Sequence, residues 1–406
     1  MKRVVITGMG GISPLGPAPD FLDALAAGRS ATRRMDEWHD ILPLRCRVAA
    51  PAELRGERDI PRAARRTMGR LSLFAAQSAQ QAVKDAGLDL DQEDRHRVAC
   101  LFGSTMGSAT SLFELFRKLI PTWNVGELSA TTFFQVLSNT AAINVAQYLG
   151  LLGTVLAPCS ACSSAAQAIG AGYDLLRLGR QDVALCGGAE DLHPTVVGSF
   201  DMMFATSAGY NDDPERTPRP FDAARDGLVC GEGSGALVLE ERERALRRGA
   251  RIYAEIIGYH TCTSGIHMSE SNRDAIAYCI REALIQAGVE PGAVDYVNAH
   301  ATGTRQGDQE EAAGLREVFG DRVPVSSLKG HLGHTLAASA ALEVMACLAM
   351  MQRGVLWPTR NLEQVAPDCE GLWHLQQPLE RKPSIVVKNS FAFGGINACL
   401  VLARVG

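Results

Sequence analysis

The 406-residue sequence lacks the features that mark several protein classes. Its longest apolar run near the C-terminus, residues 344–351, is far shorter than the roughly 18 residues of a membrane span, so we expect no membrane span. The formal net charge is only −5, which argues against a nucleic-acid-binding protein because such proteins are basic overall. The 18 prolines form no collagen period or low-complexity tract.

The 11 cysteines lack the spacing of a disulfide framework, and their number is odd. Most lie in apolar surroundings, which predicts free thiols in a reducing cytoplasm. Cys159 and Cys162 form one C-x-x-C pair, for which a zinc or redox module is a rival interpretation. A second pair and a thioredoxin-like unit are both missing, and this weakens that rival.

Short apolar runs alternate with longer segments of helical period, which is typical of an α/β protein. Strands are predicted over residues 3–7, 98–102, 183–186, 235–239, 253–258, 296–298 and 385–389. Helices are predicted over residues 67–86, 163–178, 275–287, 308–319 and 337–351. The charged segment 240–251 is predicted to be a solvated helix rather than a binding tail.

The two sides of this charged segment look alike. Each opens with a strand that ends in glycine, and each later carries a helix of small residues, after Cys162 and after His334. We interpret this as an internal duplication, with chance resemblance of two α/β halves as the alternative.

Cys162 is the first candidate for chemistry. It precedes a long helix of small residues, and the free N–H groups of a helix N-terminus favour a thiolate over a thiol. Cys162 is therefore a candidate nucleophile, and a buried structural cysteine is the alternative.

Two histidine segments follow. His300 comes directly after a predicted strand, where α/β sheets commonly place sites, although a histidine that packs in the core is an equal alternative. Lys329, His331 and His334 lie in a glycine-bearing loop. His331 and His334 have a spacing that could share a metal, but no carboxylate or thiol stands at ligand spacing, so we expect no metal.

The last segment, NSFAFGGIN at residues 389–397, places two glycines beside Phe393 at a strand end. This composition suits a mobile loop over a site, or simply a tight turn. Taken in order, the cysteine, the histidine, the lysine with its histidine and the glycine loop resemble the elongating β-ketoacyl–acyl carrier protein synthases. The resemblance covers essentially the whole chain.

The resemblance implies a thiolase-like α/β fold, a five-layer αβαβα arrangement of two pseudo-duplicated halves. The first half, residues 1–249, would carry the nucleophilic cysteine. The second half, residues 250–406, would carry both catalytic histidines and the gating loop.

The resemblance also implies a decarboxylative Claisen condensation. Cys162 would hold an acyl group, His300 and His334 would donate N–H groups to the enolate oxygen, and Lys329 would bias the electrostatics. The N–H groups of Cys162 and Phe393 would form the oxyanion hole. The remaining implied residues are Phe391 and Gly394 in the gate, Thr302, Thr304 and Ser269 at the pantetheine arm, and Glu343 and Asp308 as supports behind the site. Met106 and Phe134 would line the acyl pocket, with Phe134 reaching across a dimer interface, and ordinary core packing is the alternative for both.

Three observations favour an active elongating enzyme over its relatives. A degradative thiolase would carry its second cysteine in another order than Cys399 has here. A starter-type synthase would have asparagine in place of His334. A chain-length factor would lack Cys162, and the intact Cys-His-His set also disfavours an idle scaffold.

The implied partner is an acyl carrier protein, and the substrates would travel on its phosphopantetheine with no cofactor bound permanently. Arg62, Arg65, Arg66 and Arg70 are predicted to share one helix face that docks the acidic carrier, with a solvated basic face as the alternative. A homodimer and a heterodimer with a chain-length-factor-like subunit both stay open.

This sequence departs from the family pattern at several positions. Ala301 and Ala392 replace glycines, and His331 is an added basic group. Alanine at 392 narrows the backbone freedom of the gate, so we expect a slower or more selective gate. A specialised polyketide or polyene pathway then becomes as plausible as fatty-acid elongation.

Overall fold

One mixed sheet of twelve strands runs through the protein in the computed structural model, which describes residues 1–405. Its main strands are Val4–Ser13 (β1), Val98–Gly103 (β2), Val155–Leu156 (β3), Val183–Glu190 (β4), Gly233–Glu241 (β5), Ala254–Thr263 (β6), Tyr296–Asn298 (β7), Pro324–Ser326 (β8), Trp373–His374 (β9), Ile385–Ala392 (β10) and Ile396–Ala403 (β11). Their spatial order is β9-β8-β7-β10-β11-β6-β1-β5-β4-β2-β3.

The sheet consists of the same five-strand pattern used twice. When the two-residue strand β9 beyond β8 is set aside, the third strand of each half lies outermost, followed by the second, fourth, fifth and first. The directions also match, because β2 pairs in parallel with β3 and β4, and β7 pairs in parallel with β8 and β10. Antiparallel pairing of β1 with β6 joins the halves. The duplication inferred from the sequence is therefore confirmed, while the boundary between residues 249 and 250 stays a prediction.

Helices form three further layers around and between the two halves of the sheet. The helices are Asp20–Ala26 (α1), Arg62–Arg65 (α2), Arg70–Asp85 (α3), Ala109–Thr122 (α4), Thr132–Val136 (α5), Thr140–Leu149 (α6), Ser164–Arg177 (α7), Pro194–Met202 (α8), Arg242–Arg247 (α9), Arg273–Ala287 (α10), Arg305–Phe319 (α11), Lys329–Leu332 (α12) and Ser339–Arg353 (α13). Helices α3 and α6 cover the first half, and α10 and α11 cover the second. Helices α7 and α13 lie between the halves, which gives the predicted five layers.

The small residues of α7 and α13 explain their central position. Each helix packs against strands of both halves, so its neighbours approach closely on opposite sides. Gly188 on β4 shows how close this approach is. A Cβ at this position would lie 2.2 Å from the carbonyl oxygen of Ala337, which is a steric clash. The sheet and the start of the central helix can meet only where the strand carries glycine.

Residues Leu336–Arg353 combine a length of 18 residues with a mean hydropathy of 1.2, so by composition this helix could also cross a membrane. The uninterrupted apolar run, residues 344–351, is therefore only part of a longer segment with an apolar average composition. The structure places 89% of the segment inside the protein. It has the position of a core helix, and burial from both sides explains its apolar composition.

All seven predicted strands and all five predicted helices are present, with shifted ends. The charged segment 240–251 forms the short helix α9, but it is not fully solvated. Glu240 ends inside the protein, where it accepts a hydrogen bond of 2.5 Å from the Thr7 hydroxyl.

Candidate active site

Cys162 lies in a tight turn that leads into the central helix α7. The turn comprises Ala161–Ser163, and Ala161 has a left-handed φ of 47°. The thiol is 6% exposed and borders a cavity of about 440 Å³. The backbone N–H groups of Cys162 and Phe393 lie near its sulfur and lower the pKa of the thiol. An oxygen bound next to this sulfur would therefore meet two N–H donors.

The charge state of Cys162 differs from the sequence-based expectation. Burial raises the pKa of the thiol to about 12, although the Lys329 ammonium and the two N–H groups act in the opposite direction. The Glu190 carboxyl group raises it further. Burial outweighs the helix N-terminus, so the resting group at neutral pH is a thiol rather than a thiolate.

His300 is positioned by its backbone. It follows β7, and the carboxyl group of Glu311 on α11 accepts the N–H groups of His300 at 2.8 Å and of Ala301 at 2.6 Å. Burial raises the pKa of Glu311 to about 7. The His300 Nδ1 is buried without a hydrogen-bond partner among residues 1–405. The ring is therefore placed by the loop, and its nitrogens are left for a ligand.

His334 is positioned through its ring. Its Nδ1 lies 3.0 Å from the hydroxyl of Ser339, which in turn lies 3.0 Å from the hydroxyl of Thr335. A serine hydroxyl that donates to Nδ1 leaves the hydrogen of the neutral ring on Nε2. That Nε2 is buried with no partner in the described chain. In this tautomer His334 has an N–H donor free for a ligand.

The thiol and both rings form one cluster. One ligand atom each from Cys162, His300 and His334 lies within 4.8 Å of the others, and the two ring centroids are 5.2 Å apart. Burial lowers the pKa of both histidines well below the usual value, and Lys329 and Lys388 lower it further. Both rings are neutral at pH 7, so both can donate one N–H.

Lys329 lies behind this cluster with two buried charged neighbours. Its Nζ donates to Glu343 at 2.7 Å, and the Nζ of Lys388 lies 2.8 Å from the other oxygen of the same carboxyl group. All three side chains are at most 2% exposed. The predicted support of Lys329 by Glu343 matches this contact, whereas Lys388 was not among the predicted residues.

The cavity brings most of the predicted residues together. Its lining includes Cys162, His300, His334, Ser269, Thr302, Thr304, Asp308, Phe391 and Phe393. Asp308 accepts the N–H groups of Thr302 at 3.0 Å and of Gly303 at 3.1 Å, and burial raises its pKa to about 6. Asp308 therefore supports the loop that carries the two threonines.

The glycine segment forms a hairpin turn between β10 and β11. Gly394 has a φ of 90° and donates its N–H to the Met268 carbonyl at 2.7 Å, which ties the turn to the loop that carries Ser269. The Phe393 ring lies 5.7 Å from that of Phe200 on α8. Ala392 packs in the apolar cluster that contains Cys162. The hairpin thus closes one side of the site.

The cysteine and the two histidines also have the donor types that zinc accepts. Two buried ammonium groups next to them oppose a cation there. The alternative pair of His331 and His334 fits a metal less well. The nitrogens of His331 lie 3.1 Å from the Arg29 carbonyl and 3.2 Å from the Pro358 carbonyl, so His331 anchors the loop instead.

Family models account for most of the chain. The model for the β-ketoacyl synthase N-terminal domain matches residues 1–245, and the model for the C-terminal domain matches residues 253–363. The chain belongs to the β-ketoacyl synthase family. It is an acyltransferase of the elongating type, as the resemblance implied.

Curated relatives of this β-ketoacyl synthase come from two kinds of biosynthesis. The tetracenomycin polyketide synthase ketoacyl synthase alpha subunit of Streptomyces glaucescens is 38% identical over 99% of this chain and 97% of its own length. The 3-oxoacyl-[acyl-carrier-protein] synthase 1 of Escherichia coli K12 is 35% identical over 100% of this chain and 99% of its own.

Solved structures agree with the fold. A β-ketoacyl synthase from Burkholderia phymatum has a TM-score of 0.96 at 41% identity, and the ishigamide ketosynthase/chain length factor has 0.92 at 32%. A type II ketosynthase in complex with its acyl-carrier protein has 0.92 at 28%. Each match covers 100% of both chains. The thiolase-like fold is confirmed.

Two predicted acyl-pocket residues of this β-ketoacyl synthase lie elsewhere. Met106 is 48% exposed and Phe134 is 43% exposed, and neither belongs to the cavity lining given by residues 1–405. They lie next to α4 and within α5, on a surface with many exposed apolar side chains. In a single chain, therefore, they do not form the pocket.

The predicted arginine face is wrong in part. Residues 62–70 do not form one helix, since α2 ends at Arg65 and α3 begins at Arg70. The Arg70 guanidinium donates to both oxygens of Glu232, at 2.8 and 2.7 Å, and this ion pair occupies it. Arg65 lies 3.4 Å from Glu57, while Arg62 and Arg66 are exposed. Helical spacing predicted a shared face for the four arginines, and this was wrong because a turn interrupts the segment.

Proposed function

We propose that the chain performs a two-stage Claisen condensation on Cys162. In the first stage the Cys162 sulfur forms a bond to the acyl carbon of a carrier thioester. The carrier sulfur leaves and takes the thiol proton. The N–H groups of Cys162 and Phe393 stabilise the oxyanion of this step because both lie near the sulfur.

In the second stage a malonyl carrier thioester enters the cavity and loses CO₂. The electron pair of the broken C–C bond becomes an enolate, whose oxygen accepts N–H groups from His300 and His334. The carbanion then attacks the Cys162 thioester, and the C–S bond breaks to release a 3-ketoacyl thioester. The Cys162 sulfur leaves as a thiolate and takes a proton from water, which restores the thiol. The observation that carries this proposal is a pair of buried, neutral histidines near the thiol. Each has one ring nitrogen without a hydrogen-bond partner in the described chain, and the three side chains bring their ligand atoms within 4.8 Å of one another.

The substrates are held on the phosphopantetheine of an acyl carrier protein, and no cofactor is bound permanently. The arm enters past Ser269, Thr302 and Thr304, whose side chains line the cavity and can accept or donate hydrogen bonds. The eleven free cysteines suit a reducing cytoplasm, where we place the reaction.

Separate assays of the two stages test these roles. Malonyl-carrier decarboxylation should fall about 100-fold or more in His334→Ala, since one preorganised donor is commonly worth that much. Acylation of Cys162 should stay within about threefold of wild type. Ser199→Ala, an exposed α8 position outside the cavity lining, is the matched control. A His334→Ala variant with full decarboxylation would refute the assignment.

Docking of the carrier is proposed at Arg62 and Arg66, the two arginines that stay exposed. A carrier with an acidic helix would meet both charges there. Arg66→Glu should raise the carrier KM several-fold and leave kcat nearly unchanged, whereas Arg247→Glu on α9 should change neither. Unchanged kinetics in Arg66→Glu would remove this docking site.

A second thiolase-like chain is the proposed partner of the apolar surface around α4 and α5. The edge strand β3 has an unpaired side, and its residues are 40% and 42% exposed. Phe116, Ile120, Trp123 and Phe133 expose between 45% and 74% of their area nearby. The partner is either a second copy or a chain-length-factor-like subunit, and both would bring Phe134 to a neighbouring site.

Native mass spectrometry of the protein alone distinguishes the two partners. An active homodimer identifies the second copy. A chain that acylates and condenses only after co-expression with a sister subunit without the nucleophilic cysteine identifies the heterodimer. A monomer with full activity would contradict both.

A further inference from the structure

Lys388 is the one charged residue of strand β10, whose sequence is IVVKNSFA. It is among the largest side chains of the protein that are fully buried. Its Nζ donates to the carbonyl of the next residue, Asn389, and lies 3.4 Å from the Ser390 hydroxyl. The Glu343 carboxyl group, 2.8 Å away, is its ion-pair partner.

The same Glu343 already pairs with Lys329 at 2.7 Å. Glu343 is the one carboxyl group that both ammonium groups contact in the described chain, so one ammonium group lacks an ion-pair partner of its own. Glu311 also acts on Lys329, but burial raises the pKa of this carboxyl group to about 7 and so favours its neutral form. The cluster of Lys329, Glu343 and Lys388 therefore has a surplus of positive charge. Burial of a charge without its own counter-charge is costly. A second lysine at this position therefore calls for a role other than stability.

The surplus charge is close enough to the two active-site histidines to act on the pKa of both rings. The other ionisable groups around these rings are Glu311 and Asp308 on α11, Cys162 at the start of α7, and Glu190 at the end of β4. Among these neighbours the cations are Lys329 and Lys388. Both lower the pKa of His300 and of His334.

We propose that Lys388 is a positioning residue for the condensation: its ammonium group keeps His300 and His334 as neutral N–H donors and favours the negative charge of the enolate. The proposal rests on the proposed function. It assigns to β10 a role in the decarboxylation stage, whereas the oxyanion hole of the hairpin that follows β10 serves acyl transfer. A purely structural ion pair is the alternative.

Lys388→Met tests this, because methionine keeps the length of the side chain and leaves a balanced Lys329–Glu343 pair. We expect acylation of Cys162 within about twofold of wild type and malonyl-carrier decarboxylation lower by about tenfold, as for the loss of one nearby charge. Removal of a cation makes histidine protonation easier. The acid limb of the decarboxylation profile should therefore move up by about one pH unit.

Lys388→Arg should restore the wild-type profile in part, and Lys382→Met, at an exposed lysine before the same strand, should match wild type. If the arginine does not fit, NMR titration of the histidine ¹³Cε1 signals in Lys388→Met still reports the two pKa values directly. Both should rise relative to wild type.

An unshifted pH profile in Lys388→Met, or equal losses in both stages together with a lower melting temperature, would overturn the proposal and leave a structural role. Failure of the proposed function would look different. Wild-type protein itself would then show no decarboxylation and no 3-ketoacyl product at any pH.

Discussion

Two turns of the molecule have similar backbone conformations but different surroundings. Ala161–Ser163 leads into α7, and Leu336–Ala338 leads into α13. Their first residues have left-handed φ values of 47° and 46°. In both, the third residue donates its N–H at 3.0 Å to the carbonyl of the residue before the turn. Position for position, Cys162 corresponds to Ala337.

The difference is what each turn faces. Cys162 borders the cavity, and the hairpin N–H of Phe393 lies near its sulfur. Ala337 is fully buried, and its N–H lies 3.3 Å from the Glu190 carboxyl group, which also accepts from Thr105. The duplicated fold supplies a bent helix start twice. Chemistry arises only at the one that opens to a cavity and carries a thiol.

Exchange of the side chains at positions 162 and 337 tests this difference with the largest expected effect. Cys162→Ala should abolish acylation and reduce condensation by about 1,000-fold or more, as loss of a nucleophile does. Addition of Ala337→Cys should not restore acylation, because the second turn is closed to substrate. It should also lower stability by about 1–3 kcal/mol through overpacking.

Intact mass after incubation with an acyl carrier thioester, together with urea unfolding, checks both parts. Cys162→Ser serves as the control for a polar side chain of similar size. An acyl group on the thiol introduced by Ala337→Cys in the double variant would show that the turn alone makes the nucleophile.

Glu190→Gln tests the buried turn at residues 336–338, where the Glu190 carboxyl group contacts the N–H of Ala337. Burial raises the pKa of Glu190 to about 8. Between its unfolded value near 4.5 and pH 8, the native state keeps a proton that the unfolded state releases, so wild-type stability falls as pH rises. Glutamine removes this loss. The variant should therefore gain on the order of 2–4 kcal/mol relative to wild type between pH 5 and pH 8.

Urea unfolding at several pH values measures this difference. Glu311 and Asp308 also have raised pKa values, but they are present in both proteins and cancel. Parallel stability curves for the two proteins would mean that Glu190 is ionised in the native state.

Ala392→Gly tests the hairpin beside the Cys162 turn and has the smallest expected effect. Ala392 packs with Ala161 and Cys162 and is the last residue of β10. Glycine there should loosen the hairpin, raise the transacylation rate by about two- to fivefold and broaden chain-length preference. Competition between acyl carriers of several lengths measures both. The same rate and preference as wild type would exclude a gating role for this methyl group.

The sequence predicted the parts of the site that lie on strand ends and helix starts. Cys162, His300 and His334 lie together, with Lys329 behind them, because parallel strands and central helices bring their ends to one place. Strand β11 was not predicted, since the glycine pair before it was interpreted as a mobile loop over a site or a tight turn. The hairpin turn in fact contains only three residues, 393–395.

The buried carboxylates were harder to predict from sequence, as was Lys388. Glu343 pairs with Lys388, 45 positions later, and Glu190 contacts Ala337, 147 positions later. Such contacts depend on tertiary packing, and local pattern does not report them. A lone lysine in an apolar strand is a usable signal, since an unpaired charge rarely lies in a strand covered on both faces. The prediction for Arg70 was wrong for a different reason. Regular spacing suggested one continuous helix over residues 62–70, but a turn divides it.

Intact mass spectrometry of wild type and Cys162→Ala, first with a panel of acyl carrier proteins and then with malonyl carrier protein, tests the central claim most directly. We predict one acyl group on wild type and none on the variant, followed by a 3-ketoacyl carrier and a free thiol. Chain preference follows from the same spectra. An acyl group on Cys162→Ala, or a 3-ketoacyl product without prior acylation of Cys162, would contradict the assignment of the open turn as the site of chemistry.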